Sequence, residues 1–263
     1  MSMGQVFDDT ASQRLEAVYL TADIVRQRKE VLAALALQPG ETVLDVGSGP
    51  GLLMADVADL VGPEGHVTGI DASDSMLALS RRRFADPPLR ERTSVLKADA
   101  TQLPFKTGQF DAAVSTQVYE YVPDVDRALA ELYRVLRPGG RALILDTDWD
   151  SLVWNTLDSS LRDRFIDAWI KRFAHPHLPR TLRQRLRNAG FRGLRCDVLV
   201  LLNDTYDPDS YSLRNGDIMA DFVQQHGLSA SDVADWKHSL EELGNQGLYF
   251  FSLNRYLFQA TKP

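Results

Sequence analysis

The sequence has little cysteine, no long apolar run and no excess of basic charge. Cys196 is the single cysteine among 263 residues, which excludes an internal disulfide and a metal site made of several cysteines. The formal net charge is −7, from 29 Lys and Arg against 36 Asp and Glu, whereas surfaces that bind nucleic acids or anionic membranes concentrate Lys and Arg. We therefore expect neither a nucleic-acid partner nor membrane insertion.

The N-terminal segment and the hydropathy of the chain bear on where the protein works. A signal peptide begins basic and then becomes apolar, but residues 5–13 are polar and acidic. No stretch approaches the roughly 20 apolar residues that a membrane-spanning helix needs. The sequence therefore predicts a cytoplasmic protein.

What the sequence does contain is a regular alternation of strand and helix patterns. Hydrophobic residues make up 44% of the chain, enough to bury a substantial core. Seven segments are predicted strands, and they cover residues 42–46, 66–70, 94–98, 110–116, 142–145, 193–202 and 248–260. Helical patterns between them indicate βαβ units and hence an α/β fold with a parallel sheet. Because no linker or repeat divides the chain, we expect a single domain over residues 1–263.

The segment 43–51 is the most informative part of the chain. Its first part, residues 43–46, is apolar except for Asp45, and the glycines Gly47, Gly49 and Gly51 follow, the pattern of a buried parallel strand that turns tightly into a helix. A turn that binds a dinucleotide normally follows a wholly apolar strand and holds pyrophosphate. Asp45 instead repels phosphate and suits a ligand that carries ammonium or sulfonium charge.

Acidic residues also end the next two predicted strands. Asp71 comes 20 residues after Gly51, and Asp99 follows the third strand. A carboxylate at the position of Asp71 can accept both hydroxyls of a ribose, although it can also cap the following helix. Because the carboxyl ends of parallel strands meet at one edge of a sheet, both acids are expected to face one crevice.

These features together resemble the class I S-adenosylmethionine (SAM)-dependent methyltransferases. The resemblance is carried by the D-x-G-x-G-x-G turn, Asp71, the segment 97–105 and the phrase LYRVLRPGGRALIL at residues 132–145. It is nearest to the small-molecule, methyltransferase type 11-like branch, which includes quinone- and sterol-methylating enzymes. It implies SAM as the cofactor and a Rossmann-like sheet of seven strands in the order 3-2-1-4-5-7-6, with strand seven antiparallel and helices on both faces.

The resemblance also implies which residues bind SAM. Asp71 is expected on the ribose, Asp99 and Ala100 at the adenine, and Thr116 or Gln117 near the methionine chain. The residues expected around the amino acid moiety are Asp45, Gly47, Ser48, Gly49 and Gly51. Ala72 and Met76 follow the ribose-binding acid, where Met76 can lie against a flat ring or simply fill the core. Tyr19 and Arg28 are candidates from the N-terminal helices, and Arg28 either pairs with the cofactor carboxylate or is a helix-surface arginine.

Methyl transfer is an in-line displacement at an activated carbon, so the protein mainly aligns the reactants and excludes water. A base is useful if the acceptor is a hydroxyl or a protonated amine. The candidates near the functional edge are Tyr119, Glu120, Tyr121, Asp146, Asp148, Asp150, His175 and His177, of which Tyr119, Glu120, Tyr121, Asp148 and His175 are the preferred catalytic residues. The two histidines lie in a proline-bounded loop without a third ligand, so we predict no metal site.

The acceptor is expected to be a small molecule held under a helical cap formed by residues 1–38, 150–190 and 203–246. Four tryptophans in or near this cap, Trp149, Trp154, Trp169 and Trp236, either line an aromatic pocket or pack in the core. A homodimer is a further expectation. The alternatives to a methyltransferase are a nicotinamide-dependent oxidoreductase, which Asp45 and Asp99 disfavour, and a SAM-binding protein without catalysis.

Overall fold

The computed structural model describes residues 9–263, so the first eight residues of the predicted cap segment 1–38 lie outside the described part. The described residues form one sheet of eight strands. The strands are β1 (Thr42–Val46), β2 (His66–Asp71), β3 (Thr93–Lys97), β4 (Phe110–Thr116), β5 (Leu136–Thr147), β6 (Val153–Trp154), β7 (Arg192–Asn203) and β8 (Phe251–Thr261). All seven predicted strands are therefore present. The largest difference is that β5 begins at Leu136 rather than at residue 142, because Leu136 already pairs with Phe110 of β4 ahead of a register shift.

The strand order confirms the predicted topology. Strands β3, β2, β1, β4 and β5 are parallel neighbours in that order, and β8 pairs antiparallel with β5 on one edge and with β7 on the other. With β7 as strand six and β8 as strand seven, this is the order 3-2-1-4-5-7-6. The additional two-residue strand β6 pairs with Phe251 and Ser252 of β8. Because β7 occupies the other edge of β8, β6 lies on the same edge of β8 as β5. It extends along that edge the pairing that β5 makes.

Helices cover both faces of the sheet. They are α1 (Asp9–Tyr19), α2 (Ala22–Leu35), α3 (Leu52–Val61), α4 (Asp74–Arg83), α5 (Leu89–Arg92), α6 (Val125–Val135), α7 (Ser159–Ile170), α8 (Pro179–Asn188), α9 (Tyr211–Gln225) and α10 (Ala230–Asn245). Local sequence explains several starts, because Ser73 and Asp124 cap α4 and α6 with their side chains and Ser229 forms a capping box with Asp232. Across residues 9–263, none of these helices has the length and apolarity needed to cross a membrane.

The core consists of three apolar clusters. On one face of the sheet, α6 and α8 bury residues such as Leu132 and Leu186, and on the other face α2 and α3 bury Leu35 and Val57. The third cluster belongs to the cap, where α7, α9 and α10 pack around Phe165. Of the two helices in the predicted cap segment 150–190, α7 joins this cluster, whereas α8 packs on the sheet beside α6.

Candidate active site

Three glycines form the turn between β1 and α3. Gly47, Gly49 and Gly51 have φ angles of 73°, 53° and 81°, in the left-handed region that glycine enters without steric cost. Gly47 N–H donates to the carbonyl of Ile70 at 2.8 Å, and a Cβ atom on Gly47 would lie 2.2 Å from Cγ2 of Val118. The turn is thus held against β2 and against the loop after β4, with its backbone open to a ligand.

Asp71 connects the end of β2 to the glycine turn. Its Oδ2 accepts a hydrogen bond from Gly49 N–H at 2.9 Å, and its Oδ1 accepts one from Ser73 N–H at 2.8 Å. Burial raises the pKa of Asp71 despite these bonds, which favour the charged form. Each oxygen keeps a lone pair, so the carboxylate can still accept the hydroxyls of a ribose.

Asp45 lies beneath the same turn and has an unused acceptor. The residue is 2% exposed, and its Oδ2 has no hydrogen-bond partner among the described residues. Burial, with a smaller contribution from the charge of Asp71, raises the pKa of Asp45 to about 7. A buried carboxylate oxygen without a partner is costly. The site therefore fits a ligand with a cationic or hydrogen-bond-donating group, as SAM has.

A cavity of about 580 Å³, open to solvent, lies beside the glycine turn. The lining residues that the sequence predicted are Tyr19, Arg28, Gly47, Ser48, Gly49, Thr116 and Gln117. Gln117 is held there in an unusual conformation: its φ is 58°, its backbone N–H donates to the carbonyl of Leu145 at 2.7 Å, and its Oε1 accepts from Thr147 Oγ1 at 2.6 Å. These residues come from the N-terminal helices and the ends of β1 and β4, which meet at one edge of the sheet.

The residues predicted for the adenine end lie along the same sheet edge but outside the cavity lining. Ala98 N–H donates to the carbonyl of Asp71, which places the start of the loop with Asp99 and Ala100 next to β2. Asp99 is exposed, and its Oδ1 accepts from the N–H and the hydroxyl of Thr101, each at 2.8 Å. In the segment after Asp71, Ala72 is exposed and Met76 is buried in the first turn of α4.

The N-terminal helices cover the glycine turn and are held down by α3 and α4. Arg28 Nε donates to Asp56 of α3 at 2.7 Å, so Arg28 borders the cavity while its charge is already paired. Arg83 of α4 donates to the carbonyl of Pro50 at 2.9 Å and forms an ion pair with Glu16 of α1. In the same region, burial and the charge of Asp71 raise the pKa of Tyr19 to about 12.

The preferred catalytic candidates are all engaged in contacts inside the protein, and none of the five is among the described residues that line the cavity. Tyr119 is fully buried in the α6 cluster, and burial raises its pKa. Glu120 accepts from Trp149 Nε1 at 3.0 Å, and burial raises its pKa to about 7. Burial also raises the pKa of Tyr121.

Asp148 and His175 stabilise the loop between α7 and α8. Although burial opposes it, hydrogen bonds from Arg180 and His177 lower the pKa of Asp148, with Arg180 Nε at 2.7 Å and His177 Nδ1 at 3.1 Å. A nitrogen of His175 lies 3.1 Å from the carbonyl oxygen of Pro123. The side chains of His175 and His177 contact different partners and do not form one site. His177 instead approaches Asp148 and Asp150, a grouping that a metal ion can use, but the Arg180 guanidinium binds both carboxylates.

The four tryptophans are buried in the apolar cluster of the cap. Trp149 stacks on Phe173, and Trp154 packs edge-on against Trp236. None of the four lines the cavity among the described residues. Trp236 borders a second cavity of about 470 Å³ beside Tyr206 and Leu240, but all four side chains are at most 4% exposed. These tryptophans therefore pack in the core and do not line the cavity beside the glycine turn.

Arg255 is a cavity residue that the sequence pattern does not single out, because residues 248–260 show only the pattern of a strand. It lies on β8 opposite Thr147 of β5, is 5% exposed, and borders the cavity. Its guanidinium donates to Gln27 Oε1 at 2.6 Å and to the hydroxyl of Tyr211 at 2.8 Å. The available signal is the alternation of Arg255 with Leu253 and Leu257, which places a charged residue on the face of the strand that these apolar side chains share.

Comparison with known proteins agrees with this geometry. Residues 44–144 match a family described as a methyltransferase domain. An uncharacterized 37.1 kDa protein of a Streptomyces fradiae transposon is 42% identical over 154 residues, 57% of this chain and 43% of that protein. The ubiquinone/menaquinone biosynthesis C-methyltransferase of Rhizobium johnstonii is 36% identical over 132 residues, 50% of this chain and 48% of that protein. The chain thus spans about half the length of the curated relatives it matches.

Solved structures show the same fold. Phosphoethanolamine N-methyltransferase 2 of Haemonchus contortus, solved in complex with S-adenosyl-L-methionine, has a TM-score of 0.63 at 21% identity, covering 97% of this chain and 57% of that chain. The acid-and-glycine turn, the strand order and the matched domain agree with one another. Residues 44–144 therefore match a methyltransferase domain, and the described residues have the fold of a solved methyltransferase.

Proposed function

We propose that the protein transfers a methyl group from SAM to a small-molecule acceptor. The observation that carries the proposal is Asp45, a buried carboxylate whose Oδ2 has no partner among the described residues beneath a turn of three left-handed glycines. This arrangement suits an α-ammonium or sulfonium group and repels pyrophosphate, which disfavours a nicotinamide cofactor. When bound, SAM supplies a methyl group that its sulfonium activates for displacement.

The proposed binding roles follow the position of each residue on the sheet edge. Asp71, with Ala72, is assigned to the ribose, and Asp99, Ala100 and Met76 are assigned to the adenine. The amino acid moiety is assigned to the residues of the turn and of the cavity wall, namely Asp45, Gly47, Ser48, Gly49, Gly51, Thr116 and Gln117. Tyr19 and Arg28 cover this moiety from the N-terminal helices, where they exclude water rather than react.

Alignment of the two reactants supplies most of the proposed rate enhancement. If the acceptor must lose a proton, we assign that role to Glu120 acting through a bridging water, because Glu120 does not line the cavity itself. Its pKa of about 7 suits a base at neutral pH, and its charge interacts with Arg255 of the cavity wall. Tyr119, Tyr121, Asp148 and His175 are then positioning residues. The likeness to a quinone C-methyltransferase supports a flat, electron-rich acceptor such as a quinol.

Calorimetry with SAM, S-adenosylhomocysteine and NAD tests the proposal. We expect Asp71→Ala to weaken SAM binding at least tenfold, about 1.4 kcal/mol, because the ribose hydroxyls lose their acceptor. Asp74→Ala is the matched control, since Asp74 is an exposed acid three residues away that pairs with Lys97. Tight NAD binding without SAM binding would indicate the oxidoreductase. SAM binding without methyl transfer in a broad metabolite screen would indicate a binding protein without catalysis.

We also propose that residues 1–263 form one domain and that it works in the cytoplasm without a nucleic-acid partner. The net charge of −7 supports the last point. A homodimer is proposed through β7, whose outer face carries exposed apolar side chains.

A further inference from the structure

Arg255 is a buried cation that no carboxylate contacts directly. The two terminal nitrogens of its guanidinium donate to Gln27 and to Tyr211, which are both uncharged acceptors. Among residues 9–263, no carboxylate oxygen of Asp or Glu lies within 4.0 Å of a guanidinium nitrogen of Arg255, the limit for an ion pair. A buried charge without a counter-ion is costly unless a ligand supplies the opposite charge.

The guanidinium is also rigidly placed and retains an unused donor. Gln27 comes from α2, Tyr211 from α9 and Arg255 from β8, so three separate elements fix its position. The Nε–H of Arg255 is buried and has no hydrogen-bond partner among the described residues. Because the side chain borders the cavity, a small shift of the side chain would let its Nε–H donate a hydrogen bond to a ligand in the cavity.

The acids near Arg255 do not fully neutralise it. Glu120 and Asp146 are buried, and both interact with the charge of Arg255 from beyond contact distance. Burial raises the pKa of Glu120 to about 7 and raises the pKa of Asp146 as well, and the two acids disfavour each other's charge. Arg172 adds a second cation near Glu120. This region can therefore accept further negative charge.

The strand order places Arg255 away from the nucleoside end of the site. From the acid at the end of β2, the sheet continues through β1, β4 and β5 before β8 is reached. At about 4.8 Å per strand, β8 lies roughly 14 Å from β1. Arg255 faces Thr147, whose hydroxyl donates to Gln117 at the methionine end of the cavity. A group beside Arg255 thus lies on the β8 side of the residues assigned to the amino acid moiety, on the side of the cavity away from the ribose and the adenine.

We propose that Arg255 binds an oxyanion of the methyl acceptor, a carboxylate or a phenolate, and so selects anionic acceptors. This inference rests on the proposed methyltransferase function. For a phenolate, the guanidinium also stabilises the deprotonated form, in which the ring carbons and the oxygen are the better nucleophiles. The cofactor's own carboxylate is the other oxyanion that can occupy this position, and the experiment below separates the two sources.

The test uses benzoate and benzamide, which have similar shapes but differ in charge. Calorimetry on the full chain saturated with S-adenosylhomocysteine should show benzoate binding at least tenfold more tightly than benzamide. Arg255→Met should abolish this preference, and Arg255→Lys should retain part of it. Arg195→Met is the matched control, because Arg195 lies exposed on the neighbouring strand β7, and it should leave the preference unchanged.

The other possible results separate failure of this inference from failure of the proposed function. If wild-type protein binds benzoate no better than benzamide, the inference is overturned, and this result needs no variant that might fold poorly. If Arg255→Met weakens S-adenosylhomocysteine at least tenfold but leaves 5′-methylthioadenosine unchanged, Arg255 binds the cofactor carboxylate and the acceptor assignment is overturned. If wild-type protein does not bind S-adenosylhomocysteine at all, the proposed function itself fails.

Discussion

At the scale of single residues, Asp45 is the group whose ionisation we expect to affect the proposed binding of SAM most. Its pKa of about 7 means that it is largely protonated at pH 6, and burial is the main cause. Without the cofactor, the raised pKa makes the folded chain less stable as pH rises from about 4 to about 7, because the unfolded carboxyl ionises first. A cationic group of the cofactor reverses this preference, since it interacts favourably only with the charged form.

We therefore expect SAM affinity to rise with pH through about 7 and then to level off. Below that point, affinity should fall by at most about tenfold for each pH unit. Calorimetry at pH 5.5, 6.5 and 7.5, in two buffers of different ionisation enthalpy, measures both the affinity and the proton released on binding. Asp45→Asn cannot ionise and should bind weakly with a flat profile. The same pH dependence in Asp45→Asn would assign the titration to another buried acid, such as Glu120.

At the scale of elements, the glycine turn depends on a close approach as well as on positive φ. Gly47 and Gly247 have nearly equal φ values of 73° and 69°, but a Cβ atom meets Val118 at 2.2 Å on Gly47 and nothing within 4 Å on Gly247. Gly247 ends α10 in the left-handed conformation, so Gly247→Ala should cost only the backbone strain, about 1 kcal/mol, whereas Gly47→Ala should cost distinctly more and should also weaken SAM binding. Urea denaturation measures the difference, and equal midpoints for the two variants would refute the role of the contact.

The elements that could be predicted are those with a strong local pattern. Strands β1 and β4 occur as predicted because their apolar runs are bounded by turns, and α6 does so because buried residues recur every three or four positions. Helix α9 begins at Tyr211 rather than near residue 218. Its first turns bury Ser212, Asn215 and Gly216, which are polar or small and hide the apolar period.

The site could be predicted only where its chemistry lies within short segments. The motifs indicated the glycine turn and the acids at the ends of the strands, and the fold brings Asp45, Asp71 and Gln117 to one sheet edge. The partners of the catalytic candidates depend on tertiary contacts instead. Arg180 reaches Asp148 across 32 positions of the sequence, and nothing local to either residue indicates that pairing.

At the scale of the whole molecule, β7 leaves an apolar sheet face uncovered. Val198, Val200 and Leu202 are 50%, 48% and 48% exposed and alternate along the strand, and β7 pairs only with β8 among the described residues. Exposed apolar edge strands favour association with another chain. We expect a homodimer with twice the chain mass of 29.4 kDa, measured by sedimentation velocity, and a monomer for Val200→Lys.

Leu60→Lys is the control for that experiment. Leu60 is similarly exposed, at 48%, but lies on α3 on another part of the surface. It should leave the sedimentation coefficient unchanged. A wild-type monomer at concentrations well above those of the calorimetry would contradict the proposed dimer.

The hydrogen bond between Gln27 and Arg255 has a consequence for when the site forms during synthesis. The two residues are 228 positions apart, so the helix that covers the glycine turn is made well before the arginine that anchors it. Contacts over such a separation are slow to form because a long loop must close first. A chain still emerging from the ribosome therefore lacks this wall of the cavity, and the complete cavity forms only after nearly the whole sheet has assembled.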